Sequence, residues 1–111
     1  MSASPEEISR ILCDMRLAID AGKYTPINRD KNLASLTKLG IRWPDAIEEI
    51  YNLTEKNYDS GPDIDRDYPQ TDLFWKFKKT AFGHLIYIKF KMLYKENGEL
   101  KVVSFHIADY Q

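Results

Sequence analysis

The chain has 111 residues, of which 43% are hydrophobic and 30% are charged, with a net charge of −1 and a single cysteine. This length predicts one domain with a core of its own, and one cysteine excludes an intramolecular disulfide. No apolar run is long enough to span a membrane, and the N-terminus lacks the basic-then-apolar pattern of a signal peptide. We therefore expect a soluble cytoplasmic protein.

The first half of the chain predicts three amphipathic helices. Ser4 with the following Pro-Glu-Glu is typical of a helix start, and Gly22 is a typical stop. Asn28 is predicted to cap a second helix that ends at Gly40, and Pro44 is predicted to open a third. The side chains expected to face the core are Ile8, Ile11, Leu12, Met15 and Ile19, then Leu33, Leu36 and Leu39, then Ala46, Ile47, Ile50 and Tyr51.

Residues 54–71 have no periodic pattern and are predicted to form an acidic loop. Residues 45–72 contain nine acidic side chains against Lys56 and Arg66, which predicts a strongly negative connector. The alternating aspartates of residues 63–67 imitate the start of a calcium loop, but its required glycine and glutamate are replaced by Tyr68 and Phe74. We expect no calcium site there, and we expect the loop to border the sheet that follows.

The last third of the chain predicts three antiparallel strands, Leu73–Lys79, Leu85–Tyr94 and Leu100–Ile107. Asn97-Gly98 suits a two-residue type I′ hairpin, because both residues of that turn need positive φ. With such a turn, Lys91 would face Ser104, Phe90 would face Phe105, and Lys89 would face His106.

Alternation along these strands predicts two different surfaces of the sheet. One surface is apolar, and the side chains expected on it are Leu73, Trp75, Phe77, Ile86, Ile88, Phe90, Met92, Val103, Phe105 and Ile107. The other surface, which we call the polar face, is expected to hold Lys76, Lys78, Tyr87, Lys89, Lys91, Ser104 and His106. Residues 76–101 contain seven lysines against two glutamates, so the polar face is expected to be basic.

These patterns predict a single domain over residues 1–111. Its helices would occupy about residues 5–53, its acidic loop residues 54–71 and its antiparallel sheet residues 72–109. We expect an α+β fold in which the N-terminal helices pack on one face of this small sheet and leave the polar face open.

Other kinds of site find little support in the sequence. Two histidines and one cysteine cannot complete a structural zinc site, and no glycine-rich phosphate loop is present. Ser104 and His106 share a face, but nothing resembles the nucleophile elbow of a hydrolase. We expect neither a metal nor a cofactor.

Several segments occur in an order that resembles a known family. They are Asp-Ala-Gly-Lys after the first helix, Leu-Thr-Glu-Lys-Asn-Tyr after the third, Gly61-Pro62 with the acids that follow, Tyr87-Ile88-Lys89, and Ser104-Phe105-His106. From about Ile8 to Asp109 the chain is similar to the MqsR-like (motility quorum-sensing regulator) toxins of bacterial type II toxin–antitoxin systems.

The resemblance implies a RelE-like fold, a metal-independent endoribonuclease (mRNA interferase) acting on mRNA, and a cognate antitoxin protein encoded by an adjacent gene. Tyr87 matches a tyrosine that the family uses at its active site. His106 and Asp59 fall where the best-known member has lysines, and Lys76 falls where it has a glutamine.

Cleavage of RNA without a metal needs a base for the ribose 2′-OH, cations for the phosphorane and an acid for the leaving oxygen, and it yields a 2′,3′-cyclic phosphate. The predicted catalytic residues are His106, Tyr87, Lys89 and Lys76. Lys78, Lys91 and Ser104 are predicted to bind the substrate.

Two other functions remain open at this point. One is a toxin of the same fold that inhibits a protein target such as a topoisomerase, and the other is a non-catalytic RNA-binding module. A histidine, a tyrosine and lysines on one face favour the nuclease, since a module that only binds protein needs no titrating group there.

Overall fold

The structure, a computed structural model, describes residues 2–108. These residues form an α+β fold of three helices and a five-stranded mixed sheet. The helices are α1 (Pro5–Asp20), α2 (Asp30–Leu39) and α3 (Trp43–Tyr51), and a 3₁₀ turn spans Glu55–Asn57. The strands are β1 (Tyr24–Pro26), β2 (Tyr58–Ile64), β3 (Leu73–Ala81), β4 (His84–Leu93) and β5 (Glu99–Ile107), in the spatial order β1-β5-β4-β3-β2. The predicted end of the sheet at residue 109 lies outside the described residues.

The start of α1 confirms the sequence pattern. The Ser4 hydroxyl accepts a hydrogen bond from the Glu7 N–H at 3.2 Å, and the Glu7 carboxylate accepts one from the Ser4 N–H at 2.9 Å. At α2 the prediction is wrong by one residue, because Arg29 is the N-cap. The Asn28 side chain instead accepts a hydrogen bond from the Trp43 indole at 2.7 Å.

Helix α2 lies along the free edge of β5. The Asn32 amide donates to the Val103 carbonyl at 3.0 Å and accepts from the Phe105 N–H at 3.1 Å. The Ser35 hydroxyl accepts from the Ile107 N–H at 3.0 Å. The buried side of α2 therefore includes the polar residues Asn32 and Ser35, which cover the part of β5 that β1 does not pair. Leu33 is exposed, contrary to the prediction.

Two strands were not predicted, so the expectation of a wholly antiparallel sheet is wrong. Strand β1 pairs in parallel with β5, and β2 lies within the segment expected to be a loop. The pairing of β2 with β3 shifts register on both sides of Ser60, which interrupts the alternation by which a strand is recognised. Gly61 has φ 109°, and a Cβ there would lie 2.7 Å from the Phe74 carbonyl oxygen, so only glycine fits.

Helices α1 and α3 contribute to the apolar core on one surface of the sheet. The predicted core residues Trp75, Phe77, Ile88, Phe90 and Phe105 are all buried there. Val103 was also expected in the core, but it is half-exposed, and Val102 is buried in its place. The reason is a bulge: Lys89 pairs with Ser104 and the next residue, Phe90, pairs with Val102, so Val103 is the extra residue.

The turn between β4 and β5 is longer than predicted. Asn97 and Gly98 do have positive φ, but β4 ends at Leu93, whose carbonyl accepts hydrogen bonds from the N–H groups of Glu96 and Gly98. The turn therefore spans residues 94–98 instead of two residues.

The turn is three residues longer than predicted, and the one-residue bulge at Val103 offsets part of this, so beyond the bulge the pairing of β4 and β5 is moved by two residues. Tyr87 faces His106 and Lys89 faces Ser104, whereas Lys89 was expected to face His106. A shift of two leaves the side chains beyond the bulge on their predicted face. Its consequence is that the tyrosine becomes the direct neighbour of the histidine.

Candidate functional site

The polar face is organised in rows that cross the sheet, because paired residues on neighbouring strands lie side by side. Lys78, Tyr87 and His106 form one row, from β3 to β5. Lys76, Lys89 and Ser104 form the next row. The two rows contain six of the seven predicted site residues and lie about 7 Å apart, which is two residues along a strand.

Tyr87 and His106 are in ring contact. Their ring centroids lie 5.1 Å apart with the planes tilted by 42°. Both side chains are half-buried. The His106 Nδ1 atom lies 3.3 Å from the Ile107 carbonyl oxygen, which can only accept, so Nδ1 donates and Nε2 keeps its lone pair. This arrangement presents an imidazole nitrogen able to take a proton.

Burial shifts the pKa values of the two rings in opposite directions. It lowers the pKa of His106 below the ordinary 6.5, and the cations of Lys31, Arg29 and Lys89 add to this effect. Burial also raises the pKa of Tyr87 above 10.0, although Lys76 opposes the rise. At neutral pH the histidine is therefore a free base and the tyrosine keeps a proton that it can donate.

Lys89 is the least neutralised cation of the polar face. Among residues 2–108 it forms no ion pair, and its ammonium lies 4.5 Å from the centroid of the Phe74 ring. Burial lowers its pKa below 10.5, and the charges of Lys76 and Arg29 act in the same direction. A half-buried ammonium surrounded by other cations would be stabilised by a bound anion.

Two of the lysines of β3, Lys76 and Lys78, are neutralised by aspartates of residues 54–71, which the sequence did not predict. Asp63 lies 3.1 Å from the Lys76 ammonium, and Asp59 lies 3.5 Å from that of Lys78. The hydrogen bond from Lys76 to Asp63 raises the pKa of the lysine above 10.5 although burial opposes the rise. The polar face is therefore a mixed surface, with acids along the β2 side and, within residues 2–108, no carboxylate paired with Lys89.

Lys91 lies apart from the two rows and is enclosed by the protein. Its side chain is 7% exposed, and its ammonium lies 2.8 Å from Asp65 and 2.7 Å from Asp72, at the two ends of the β2–β3 connection. Hydrogen bonds to both carboxylates raise its pKa above 10.5 although burial opposes the rise. The structure thus places this predicted substrate-binding residue in an internal ion triad that fixes the connection to β4.

Ser104 is also buried, and it leads to a residue that the sequence reasoning missed. The Arg29 guanidinium donates to its hydroxyl at 3.4 Å and lowers the pKa of both Lys89 and His106 by its charge. Arg29 reaches the polar face because β1 pairs in parallel with β5 and delivers the start of α2 to that edge. The sequence around Arg29 does not predict this position, because β1 has only three residues and shows no strand pattern.

No protein-family model matches the chain, and no curated protein shows significant similarity to it. Within residues 2–108, no group of three or more histidine, cysteine, aspartate or glutamate side chains is arranged to hold a metal ion. No helix in this same part of the chain is long and apolar enough to cross a membrane.

Proposed function

We propose that this protein is a metal-independent endoribonuclease that cleaves mRNA. The observation that best supports the proposal is the contact between Tyr87 and His106, one row away from the Lys89 ammonium, which has no ion-pair partner in the described part of the chain. Cleavage by a ribose 2′-OH requires a base, an acid and a cation, which here are the neutral imidazole, the protonated phenol and the ammonium.

In the proposed reaction, His106 Nε2 takes the proton of the 2′-OH, and the 2′-oxygen attacks the adjacent phosphorus. The Lys89 ammonium and the Arg29 guanidinium stabilise the negative charge that develops on the phosphorane oxygens. Tyr87 donates its phenolic proton to the leaving 5′-oxygen, and the phenolate is reprotonated by the proton that His106 has taken, through solvent. The P–O5′ bond breaks, and the products are a 2′,3′-cyclic phosphate and a free 5′-hydroxyl.

Lys76 has a secondary part in this proposal. It lies between Asp63 and Lys89, so the phosphate must compete with the Asp63 carboxylate for its ammonium. Lys78 is paired with Asp59 and would add attraction for RNA at longer range. Because of these ion pairs, we expect RNA to bind more weakly, and with a weaker dependence on salt, than the seven lysines of residues 76–101 would suggest.

The biological setting is proposed from the resemblance to the MqsR-like toxins. In this proposal the α+β fold is RelE-like, the enzyme is the toxin of a type II toxin–antitoxin system, and an antitoxin encoded by the adjacent gene neutralises it. The antitoxin is expected because an unrestrained mRNA nuclease would harm its own cell. Strong expression of the chain alone, with no growth defect and no co-purifying partner, would contradict this setting.

The reaction is tested by the chemistry of its products. Purified protein should cleave single-stranded RNA in excess EDTA and leave 2′,3′-cyclic phosphate and 5′-hydroxyl ends. An oligonucleotide with deoxyribose at the cleaved position should stay intact, because it lacks the attacking hydroxyl. Binding of RNA without cleavage would instead indicate a non-catalytic RNA-binding module, and neither binding nor cleavage would favour an inhibitor of a protein target.

A further inference from the structure

A groove of about 550 Å³ adjoins the proposed catalytic rows on the polar face. Lys76 and Lys89 form the end nearest the catalytic residues, and Lys101 lies among the other lining residues. Its apolar lining comes from Ile27, Phe74 and the bulged Val103. Lys89 belongs both to the catalytic rows and to the groove. An RNA strand with a phosphate bound at Lys89 would therefore place an adjacent part of the nucleotide in this groove.

The charges of the lining indicate which part of a nucleotide would enter. Asp63, Asp67 and Arg66 line the side formed by residues 63–68, and the two carboxylates repel a phosphate at short range. The carboxylates accept hydrogen bonds from N–H groups, which each RNA base has and the sugar-phosphate backbone does not. A nucleobase therefore fits this lining better than a phosphate does.

An exposed aromatic ring lies at the same place. Tyr68 lines the groove and is 59% exposed, although it is a large aromatic residue. The Lys91 ammonium lies 4.9 Å from its ring centroid and 5.5 Å from that of Phe74, so the lysine of the buried ion triad contacts both rings. Exposed aromatic rings beside cations are the usual stacking surfaces for bases of single-stranded nucleic acids.

We propose that this groove is a nucleobase subsite, in which the base next to the scissile phosphate stacks on Tyr68 over the apolar floor at Val103. The proposal rests on the proposed ribonuclease function and adds to it a residue that determines how the substrate is held. In this proposal the internal ion triad contributes to RNA binding indirectly, because Lys91 fixes the segment that contains Tyr68.

The test uses a short single-stranded 2′-O-methyl RNA, which lacks the attacking hydroxyl and is not cleaved, and the same oligonucleotide with abasic sites. The wild-type protein should bind the base-bearing oligonucleotide more tightly. Tyr68→Ala should weaken that binding by roughly 5- to 100-fold, the usual effect of losing one stacked base, and should leave binding of the abasic oligonucleotide unchanged. Tyr68→Phe keeps the ring and should bind like the wild type.

Two further variants separate stacking from disturbance of the fold. Tyr94 is an equally exposed tyrosine, 61% exposed, and it does not line this groove, so Tyr94→Ala should bind both oligonucleotides normally. Val103→Phe places a larger side chain of β5 in the groove. It should weaken binding of the base-bearing oligonucleotide although Tyr68 is unchanged.

The outcomes distinguish this subsite from the ribonuclease proposal. Equal affinity for the two oligonucleotides, no binding of either, or a Tyr68→Ala loss no larger than that of Tyr94→Ala would overturn the subsite. If ordinary RNA is still cleaved in those cases, the ribonuclease proposal stands alone. Base-dependent binding that needs Tyr68, without cleavage of ordinary RNA, would support the subsite and contradict the ribonuclease.

Discussion

Replacement of Lys91 by methionine tests whether this lysine is structural or binds RNA. Its ammonium contacts Asp65 at 2.8 Å and Asp72 at 2.7 Å, and the three side chains are 7%, 7% and 11% exposed in that order. Methionine has a similar length and no charge, so Lys91→Met leaves two carboxylates buried without their shared partner. Removal of one partner of a buried ion pair costs about 3–5 kcal/mol of unfolding free energy, and we expect a loss in that range at pH 7.

The loss should depend on pH in a direction that follows from the ion triad. Hydrogen bonds from Lys91 keep the pKa of both aspartates below 3.8 although burial opposes this, so their stabilisation is present above that pH and is lost as the pH falls below it. The pKa of Lys91 is raised above 10.5, so its contribution is lost only as the pH rises beyond that value. The difference between wild type and Lys91→Met should therefore be full near pH 7 and should shrink in acid, where the unpaired carboxyls are neutral.

The assay is urea-induced unfolding of both proteins at pH 7 and in acid. Lys101→Met is the matched control, because Lys101 is paired with Lys91 across the two strands but forms no ion pair within residues 2–108. It should cost less than about 1 kcal/mol, as most surface changes do. A Lys91→Met loss equal to the control, or a loss that is the same at both pH values, would refute the structural role.

Three other predictions concern the core and the site. Phe90→Ala should cost about 3–5 kcal/mol in the same unfolding assay, because the ring is fully buried and stacks on Phe77; a loss within 1 kcal/mol would contradict the core described above. Asp63→Asn should tighten RNA binding and steepen its salt dependence by a slope of about 0.7, because Lys76 gains a free phosphate contact; weaker binding would show that Asp63 supports the site. The cleavage rate should be level near pH 7 and fall only in acid, at a pH below the ordinary histidine value of 6.5, because burial lowers the pKa of His106 and its neutral form is the base; a rate that rises in acid would exclude that role.

Much of the fold could be predicted because local patterns in the sequence agree with it. The capping box at Ser4, the helical spacing in α1 and α3, and most of the alternation along β3 to β5 match the structure; the exceptions are Leu73, which is exposed, and Val103 at the bulge. The misses have a common cause, which is dependence on partners distant in sequence. Strand β1 is too short to show alternation, and the burial of Asn32 is explained only by the edge of β5 that it satisfies.

The membership of the polar face was predictable, but its electrostatics were not. The three-residue error in turn length is offset by the one-residue bulge at Val103, so Tyr87, Lys89 and His106 lie on the face predicted for them despite the wrong register. The pairing of Lys76 with Asp63, and the enclosure of Lys91, depend on how the acidic segment folds over the sheet. Arg29 could not be found because its position depends on the pairing of β1 with β5.

The central claim is that His106 transfers a proton during RNA cleavage, and a single-turnover rate measured for His106→Ala tests it most directly. His84→Ala is the control, since the other histidine is at the first residue of β4, beside the β3–β4 turn. We expect His106→Ala to cleave about 10²- to 10⁴-fold more slowly, with unchanged affinity for an uncleavable RNA, and His84→Ala to cleave normally. Cleavage by His106→Ala at the wild-type rate would contradict the active site proposed on this face.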